Sequence, residues 1–237
     1  MINVMTWLWR QKGRRFSKYN AESVNVWARM VSRNLTIPHK ISCVTNMPEG
    51  IEDWIEIIPL TKDFDRVESS RWREKDSKPQ CYRRIDMFRP DAGEIYGERF
   101  VSMDLDCIVT GNLDPLFSRG DDFVVMRGTA GTRPYNGGMI LMDAGARPYV
   151  YTNFTPELVE KATSVYVGSD QAWISFCLGW LEKTWDEEDG VYYFGNRVSS
   201  EIRKQGPPDD MRLLFFPGMP KPWELSKKHS WIRDNYC

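Results

Sequence analysis

From Ile2 to Leu60 the chain alternates strand-like and helix-like stretches, and that alternation restricts the fold more than any other feature. Ile2 to Trp9 is a short apolar run ending at Arg10, with the length and density of a buried strand. The basic stretch Gln11 to Lys18 carries Gly13 and reads as a loop. Asn20 is placed to cap a helix whose apolar positions Val24, Trp27, Val31 and Leu35 follow helical spacing and stop before Pro38. Lys40 to Thr45 and Ile55 to Leu60 are the next two strands. Strands separated by a helix are joined in parallel, which implies an α/β domain with a largely parallel sheet. At 237 residues the chain is long enough to bury such a core as a single domain over 1–237.

The run Phe100 to Val109 places Asp104 and Asp106 one residue apart within an otherwise apolar, strand-like stretch. In extended backbone, residues i and i+2 point to the same side, so the two carboxylates converge while Met103, Leu105 and Ile108 anchor the strand. Paired carboxylates are costly without positive charge between them. Hard oxygen ligands suit Mg²⁺ or Mn²⁺, which keep positions open for phosphate oxygens. The functional reading is a metal site that receives a diphosphate; the bland alternatives are a solvated strand end and a helix-capping role. In parallel sheets ligands bind at the carboxyl ends of strands, where this pair is expected.

Further along, Asp63 to Gln80 is a long polar loop, of the kind that serves as a lid or recognition segment. Cys81 to Phe88 reads as a helix ended by Arg89-Pro90. Asn112 to Phe117 suggests a short capped helix, Phe123 to Met126 and Met139 to Met142 strands, and Thr155 to Ala162 and Ser169 to Leu181 helices. In the last of these, Trp173, Phe176, Cys177 and Trp180 form an apolar stripe assigned to the core. Lys183 to Asp210 is charged and Gly-rich, and Leu213 to Phe216 is a final strand.

Charge is nearly balanced, 32 basic against 33 acidic residues, so no global field recruits nucleic acid or an anionic membrane. No stretch reaches membrane-spanning length. Five scattered cysteines without a C-x-x-C pair fit reduced thiols rather than zinc, and the expected setting is cytoplasmic. Aromatic content is 13 %, with ten Trp, enough to supply a sugar or base site beyond the needs of packing.

Four motifs follow in order: Tyr82-Arg83-Arg84-Ile85; Asp104-Leu105-Asp106; Asn136-Gly137-Gly138 with Ser169-Asp170-Gln171; and Gly218-Met219-Pro220-Lys221-Pro222-Trp223. Their order and spacing resemble the nucleotide-sugar transferases of GT-A fold, most closely glycosyltransferase family 8, the glycogenin-like and bacterial galactosyltransferase-like enzymes. The resemblance implies a single α/β GT-A-like domain, with a Rossmann-like mixed, mostly parallel sheet flanked by helices, and a retaining transferase that uses a UDP-hexose donor with Mn²⁺ or Mg²⁺ on Asp104 and Asp106. It implies donor contacts from Arg84, Asn136, Gly137, Gly218 and Lys221, and catalytic positions for Asp170, which grips sugar hydroxyls, and Gln171, near the reacting face. The acceptor, a glycan, lipid or protein hydroxyl, is not named by the resemblance.

Each motif also has a local structural use: Arg84 as a solvated helix charge, Asn136-Gly137 as a hairpin turn, Ser169 and Asp170 as a helix cap, and Lys221 in a terminal turn. Lys221 is held extended by Pro222, and its ammonium suits the β-phosphate of a leaving diphosphate. The sequence departs from the family at Phe215, three residues before Gly218, where a metal-binding His is common. Only His39 and His229 are present, so the third protein ligand is missing, replaced or shifted. Two rival readings remain on the residues alone: a metal-dependent nucleotidyl or phosphoryl transferase, and a catalytically degenerate nucleotide- or glycan-binding protein of the same fold.

Overall fold

Every side chain of β1 (Ile2–Leu8) is buried, and a strand covered on both faces belongs in the middle of a sheet. β1 pairs in parallel with β2 (His39–Thr45) and with β4 (Arg99–Met103), and β3 (Glu56–Pro59) adds in parallel to the outside of β2. Beyond β4 the directions change: β7 (Arg133–Asp143) runs antiparallel to β4, β6 (Phe123–Ala130) antiparallel to β7, and β8 (Lys183–Trp185) parallel to β6. The result is a mixed seven-stranded sheet of order β3-β2-β1-β4-β7-β6-β8, in which the parallel part β3-β2-β1-β4 is what the alternation predicts. This computed structural model describes residues 1–10, 19–64, 81–195 and 206–237. The loop expected at Gln11 to Lys18, most of Asp63 to Gln80, and 196–205 within Lys183 to Asp210 lie outside the described residues.

One face of the sheet is covered by α1 (Ala21–Arg33), which a capping box with Asn20 begins: Ser23 N donates to Asn20 Oδ1 at 3.1 Å, and Asn20 N donates to Ser23 Oγ at 3.3 Å. Val24, Trp27 and Val31 of this helix are fully buried against the sheet. The other face is covered by the 3₁₀ helix Tyr82–Phe88 and by α5 (Pro156–Val165) and α6 (Asp170–Leu178). Short helices α2 (Ala92–Tyr96), α3 (Asp114–Phe117) and α4 (Tyr149–Thr152) fill connections.

A second, smaller sheet of order β5-β10-β9 joins β5 (Cys107–Val109), β10 (Leu213–Phe215) and β9 (Val191–Tyr193). It corrects the reading of Phe100 to Val109 as one strand. β4 makes its last contact with β7 where Asp104 N donates to Gly138 O at 2.8 Å, and the small sheet is entered where Phe216 N donates to Asp106 O at 2.8 Å. Between those bonds the chain changes partners, so Asp104-Leu105-Asp106 forms the corner between two sheets. Leu105 still turns into the core, 4 % exposed, and alternation leaves both carboxylates on the other side.

Two further differences have physical causes. Asn136-Gly137-Gly138 is not a hairpin turn: it lies inside β7, where Val125 pairs with Ile140 but Met126 pairs with Asn136, so a bulge pushes the segment out of the ladder. The apolar stripe of α6 also ends early, because Gly179 in positive φ terminates the helix. Trp173 is 1 % exposed and donates from Nε1 to Val150 O at 2.7 Å, whereas Trp180 is 57 % exposed. Trp173→Ala is therefore expected to cost ~3–5 kcal/mol through the cavity it leaves, while Trp180→Ala stays within about 0.5 kcal/mol of the parent. Urea midpoints of the two variants check this, and similar losses for both would overturn the assignment.

Candidate functional site

The bulge in β7, the corner between the sheets, the start of α6 and the C-terminal turn all open onto one cavity of about 490 Å³. Arg84 is a buried charge on its wall. Presented by the 3₁₀ helix and 6 % exposed, its guanidinium donates to Asp104 Oδ1 and to Asp170 Oδ2, and Nη1 donates to Gly137 O at 3.0 Å. Burial disfavours the Arg84 charge, but the two carboxylates more than compensate and hold it firmly cationic. This placement rules out the solvated-helix reading of Arg84.

Gly137 is required by that contact. A Cβ there would stand 3.0 Å from Asp170 Oδ2 and 3.2 Å from Arg84 Nη2, inside the ion pair. Asn136 lines the cavity and accepts from Gly138 N at 2.7 Å, which fixes the bulge. Asp170 begins α6 and is 3 % exposed, but Ser169 does not cap the helix as its position suggests. Its hydroxyl instead accepts from Cys81 N at 3.2 Å and donates to Asp170 Oδ1 at 3.3 Å, tying the 3₁₀ helix to α6. Gln171 lines the cavity with its amide folded back onto Val167 O at 2.9 Å, over Gly168, where a Cβ would stand 2.4 Å from Gln171 Cγ.

At the opposite wall stands Lys221, 7 % exposed, with extended backbone ahead of the short helix Pro222–Leu225. Its ammonium donates to Asp106 Oδ2 and, at 2.8 Å, to Phe216 O. Asp106 also accepts from the Tyr19 hydroxyl at 3.0 Å. Burial, reinforced by Asp106, pushes the Tyr19 phenol up, so it remains a donor. Burial likewise raises the Asp104 carboxyl to about 6; Arg84 and Lys221 oppose the rise, while Asp106 and Asp170 add to it. Its side chain is 36 % exposed to the cavity. Burial pushes the Cys81 thiol up to about 12, so this cavity-lining thiol stays protonated near neutrality.

Of the residues singled out in the sequence, Asp104, Asp106, Arg84, Asn136, Asp170, Gln171 and Lys221 line this one cavity, and Gly137 packs behind the ion pair. Gly218 does not join them: it is exposed in the turn, with nothing near the place its Cβ would take. Phe215 lines the wall where a His would supply a metal ligand. Among the described residues no group of three His, Cys, Asp or Glu could hold a metal ion, and no helix is long and apolar enough to cross a membrane. Trp7, Tyr19, Arg133 and Tyr193 also line the cavity; the general excess of aromatic residues was the only sequence signal for the three rings, and Arg133 had none.

No family model matches the sequence, and no curated relative does. Solved structures do. The galactosyltransferase LgtC, in complex with donor and acceptor sugar analogues, superposes with a TM-score of 0.61 at 13 % identity over 93 % of this chain and 89 % of that one. The glycosyltransferase GlyE of Streptococcus pneumoniae TIGR4 gives 0.59 at 14 % identity, with 94 % of this chain matching 57 % of that one. The bifunctional glycosyltransferase WbbM gives 0.58 at 14 % identity, with 100 % of this chain matching 49 % of that one. Identities this low speak for architecture alone, and on that ground the chain has the GT-A fold of these glycosyltransferases.

Proposed function

We propose that this chain is a glycosyltransferase that moves a hexose from a UDP-linked donor to an acceptor hydroxyl with retention of anomeric configuration, with Mn²⁺ or Mg²⁺ on Asp104 and Asp106. The observation that carries the reading is the convergence of Arg84, Asp104, Asp106, Asp170 and Lys221, from four separate segments, on one cavity of a GT-A fold. The donor set fits a hard divalent ion in part. Arg84 engages Oδ1 of Asp104 and Lys221 engages Oδ2 of Asp106, which leaves one oxygen of each carboxylate for the ion. With Phe215 in place of a third protein ligand, Asp104 and Asp106 would hold the ion with its remaining positions open to donor phosphate oxygens and water. When bound, the ion supplies positive charge that stabilises the departing diphosphate.

The chain's own cations work on the same leaving group. Lys221 is held in place by Phe216 O and its flanking prolines, so its charge is preorganised rather than recruited. Arg84 fixes Asp104 and Asp170 relative to each other, which orients Asp170 toward the sugar hydroxyls. Retention is favoured because no Asp or Glu among the described lining residues stands apart from the Arg84 and Lys221 pairs as a separate general base. Phe215, together with those pairings, also favours a second reading, a nucleotide- or glycan-binding protein without turnover. A screen of UDP-hexoses followed by released UDP decides between them, and UDP binding without release to any acceptor or water supports the second.

Titration calorimetry with UDP is expected to show tighter binding with Mn²⁺ than without, and Asp104→Asn or Asp106→Asn should remove that difference. Because metal uptake requires the carboxylate, the Mn²⁺ enhancement should be present above pH 6 and fade as pH falls through the raised Asp104 value of about 6. For stability the sign is opposite. A carboxyl raised from 3.8 to about 6 loses favourable protonation as pH rises through that window, so Asp104→Asn should flatten the fall in Tm there. An enhancement independent of both aspartates would refute the metal assignment.

Lys221→Met keeps the buried stem and removes the charge. It is expected to lower kcat by ~10²- to 10³-fold, with a smaller change in KM, since only the interaction that strengthens in the transition state appears in kcat. Normal turnover would reduce the segment to a structural turn. With an α-linked donor, proton NMR of the early product should show an α linkage; a β linkage would contradict the retaining mechanism.

A further inference from the structure

Three cations line the cavity, and two are already matched: Arg84 by Asp104 and Asp170, and Lys221 by Asp106. The third is Arg133. No ion pair engages it among the described residues; its one side-chain hydrogen bond is a long one, from Nη1 to Thr129 Oγ1 at 3.4 Å. Its Nε–H is buried and bonds to nothing. Leaving such a donor unsatisfied costs ~1–3 kcal/mol, more when it carries charge, and native structures leave few of them. That donor is shut away from solvent, but the guanidinium that carries it lines the cavity with no carboxylate beside it among the described residues, so a ligand there can supply the missing counter-charge.

The position of Arg133 says which part of a ligand that is. It opens β7 at the β6–β7 hairpin, and the neighbouring Thr132 O accepts from Val167 N at 2.9 Å, so the hairpin is bonded to the segment that delivers Gly168, Asp170 and Gln171. On its other side lies Tyr193, close enough for the Arg133 charge to act on the phenol. Arg133 thus belongs to the wall built with Asp170 and Gln171, whereas Lys221 and Asp106 pair with each other on the C-terminal segment and the sheet corner. A guanidinium is always charged and offers a planar fork that fits a carboxylate or phosphate through two parallel hydrogen bonds. A neutral sugar hydroxyl satisfies one donor and leaves the charge uncompensated.

We propose that Arg133 binds an anionic group, a carboxylate or phosphate, carried by the saccharide beside Asp170 and Gln171, on either the sugar transferred or the acceptor that receives it. The inference rests on the sugar-transfer reading and narrows it to acidic saccharides, with Arg133 as a specificity-determining residue.

The test has two arms and a binding control. The donor arm compares UDP-glucose and UDP-galactose with UDP-glucuronate and UDP-galacturonate by released UDP. The acceptor arm compares methyl β-D-glucoside with methyl β-D-glucuronide and glucose 6-phosphate. The parent is expected to prefer the acidic member of one arm by ~10- to 10²-fold in kcat/KM, as expected for a charge-assisted pair, and that arm identifies which saccharide carries the anion. Arg133→Gln should erase the preference, Arg133→Lys should keep part of it, and the affinity for UDP itself should stay unchanged in both.

Three results overturn the proposal: no acidic preference in either arm, a preference that survives Arg133→Gln, or a loss of UDP affinity as large as the loss for the acidic saccharide, which would make Arg133 a diphosphate ligand. Failure of sugar transfer itself is read separately. Saturation-transfer NMR of methyl β-D-glucuronide against methyl β-D-glucoside needs no turnover, and its selectivity, present in the parent and absent from Arg133→Gln or not, decides the matter even if no UDP is bound or released.

Discussion

The buried Arg84 guanidinium, bridging Asp104 and Asp170, is the contact on which the rest of the site depends. A charge that is 6 % exposed stays in the interior only with its counter-charges in place, so the pairing fixes three segments that are distant in sequence. The 3₁₀ helix supplies the cation, the corner between the sheets supplies one anion, and the start of α6 supplies the other. Gly137 belongs to the same arrangement, because its carbonyl takes a third hydrogen bond and its missing side chain is what lets the pair close. Removing one partner of such a set leaves uncompensated charge, commonly worth 3–5 kcal/mol, so the geometry of the cavity and the stability of this region are coupled.

Around that centre the charge balance is uneven in a useful way. Three carboxylates line the cavity against two cations that pair with them, so the inner part of the site retains one negative charge in excess. An excess of that sign suits the divalent cation proposed for the site, even though Phe215 stands where a His ligand is common in the family the sequence resembles. Arg133 stands outside this balance, with no ion-pair partner among the described residues, which is why its charge is the one left for a ligand.

The site lies where the fold changes plan. At Asp104 the chain leaves a seven-stranded sheet, and at Asp106 it enters a three-stranded one. A backbone that changes hydrogen-bonding partner exposes side chains that a continuous ladder would cover, and the cavity forms at the carboxyl end of β4, as expected for ligand sites in α/β sheets. The bulge in β7 does the same from the neighbouring strand, turning Asn136 into the cavity while Gly137 stays behind it.

Local sequence determined the elements whose signal is local. The alternation of apolar strands with the capped helix from Asn20, the early parallel pairing, and the short motifs around Arg84, Asp104, Asp170 and Lys221 all depend on neighbours within a few residues, and the described structure contains them in the expected order. What depends on distant neighbours was decided only by tertiary structure. Nothing near Tyr19, Arg133 or Tyr193 in the chain marks them for a cavity, because their place comes from strands and loops far away in sequence. Phe100 to Val109 reads as one strand since its apolar pattern never breaks; only the change of partner from β7 to β10 splits it. Trp180 reads as core because helical spacing continues through it, yet the helix ends at Gly179 and leaves the ring in solvent. Ser169 has the chemistry of a cap but bonds Cys81 and Asp170, which the fold brings closer than the backbone it would otherwise serve. Periodicity and capping act over a few residues, whereas ion pairs, sheet corners and cavities are made by segments that meet only after folding.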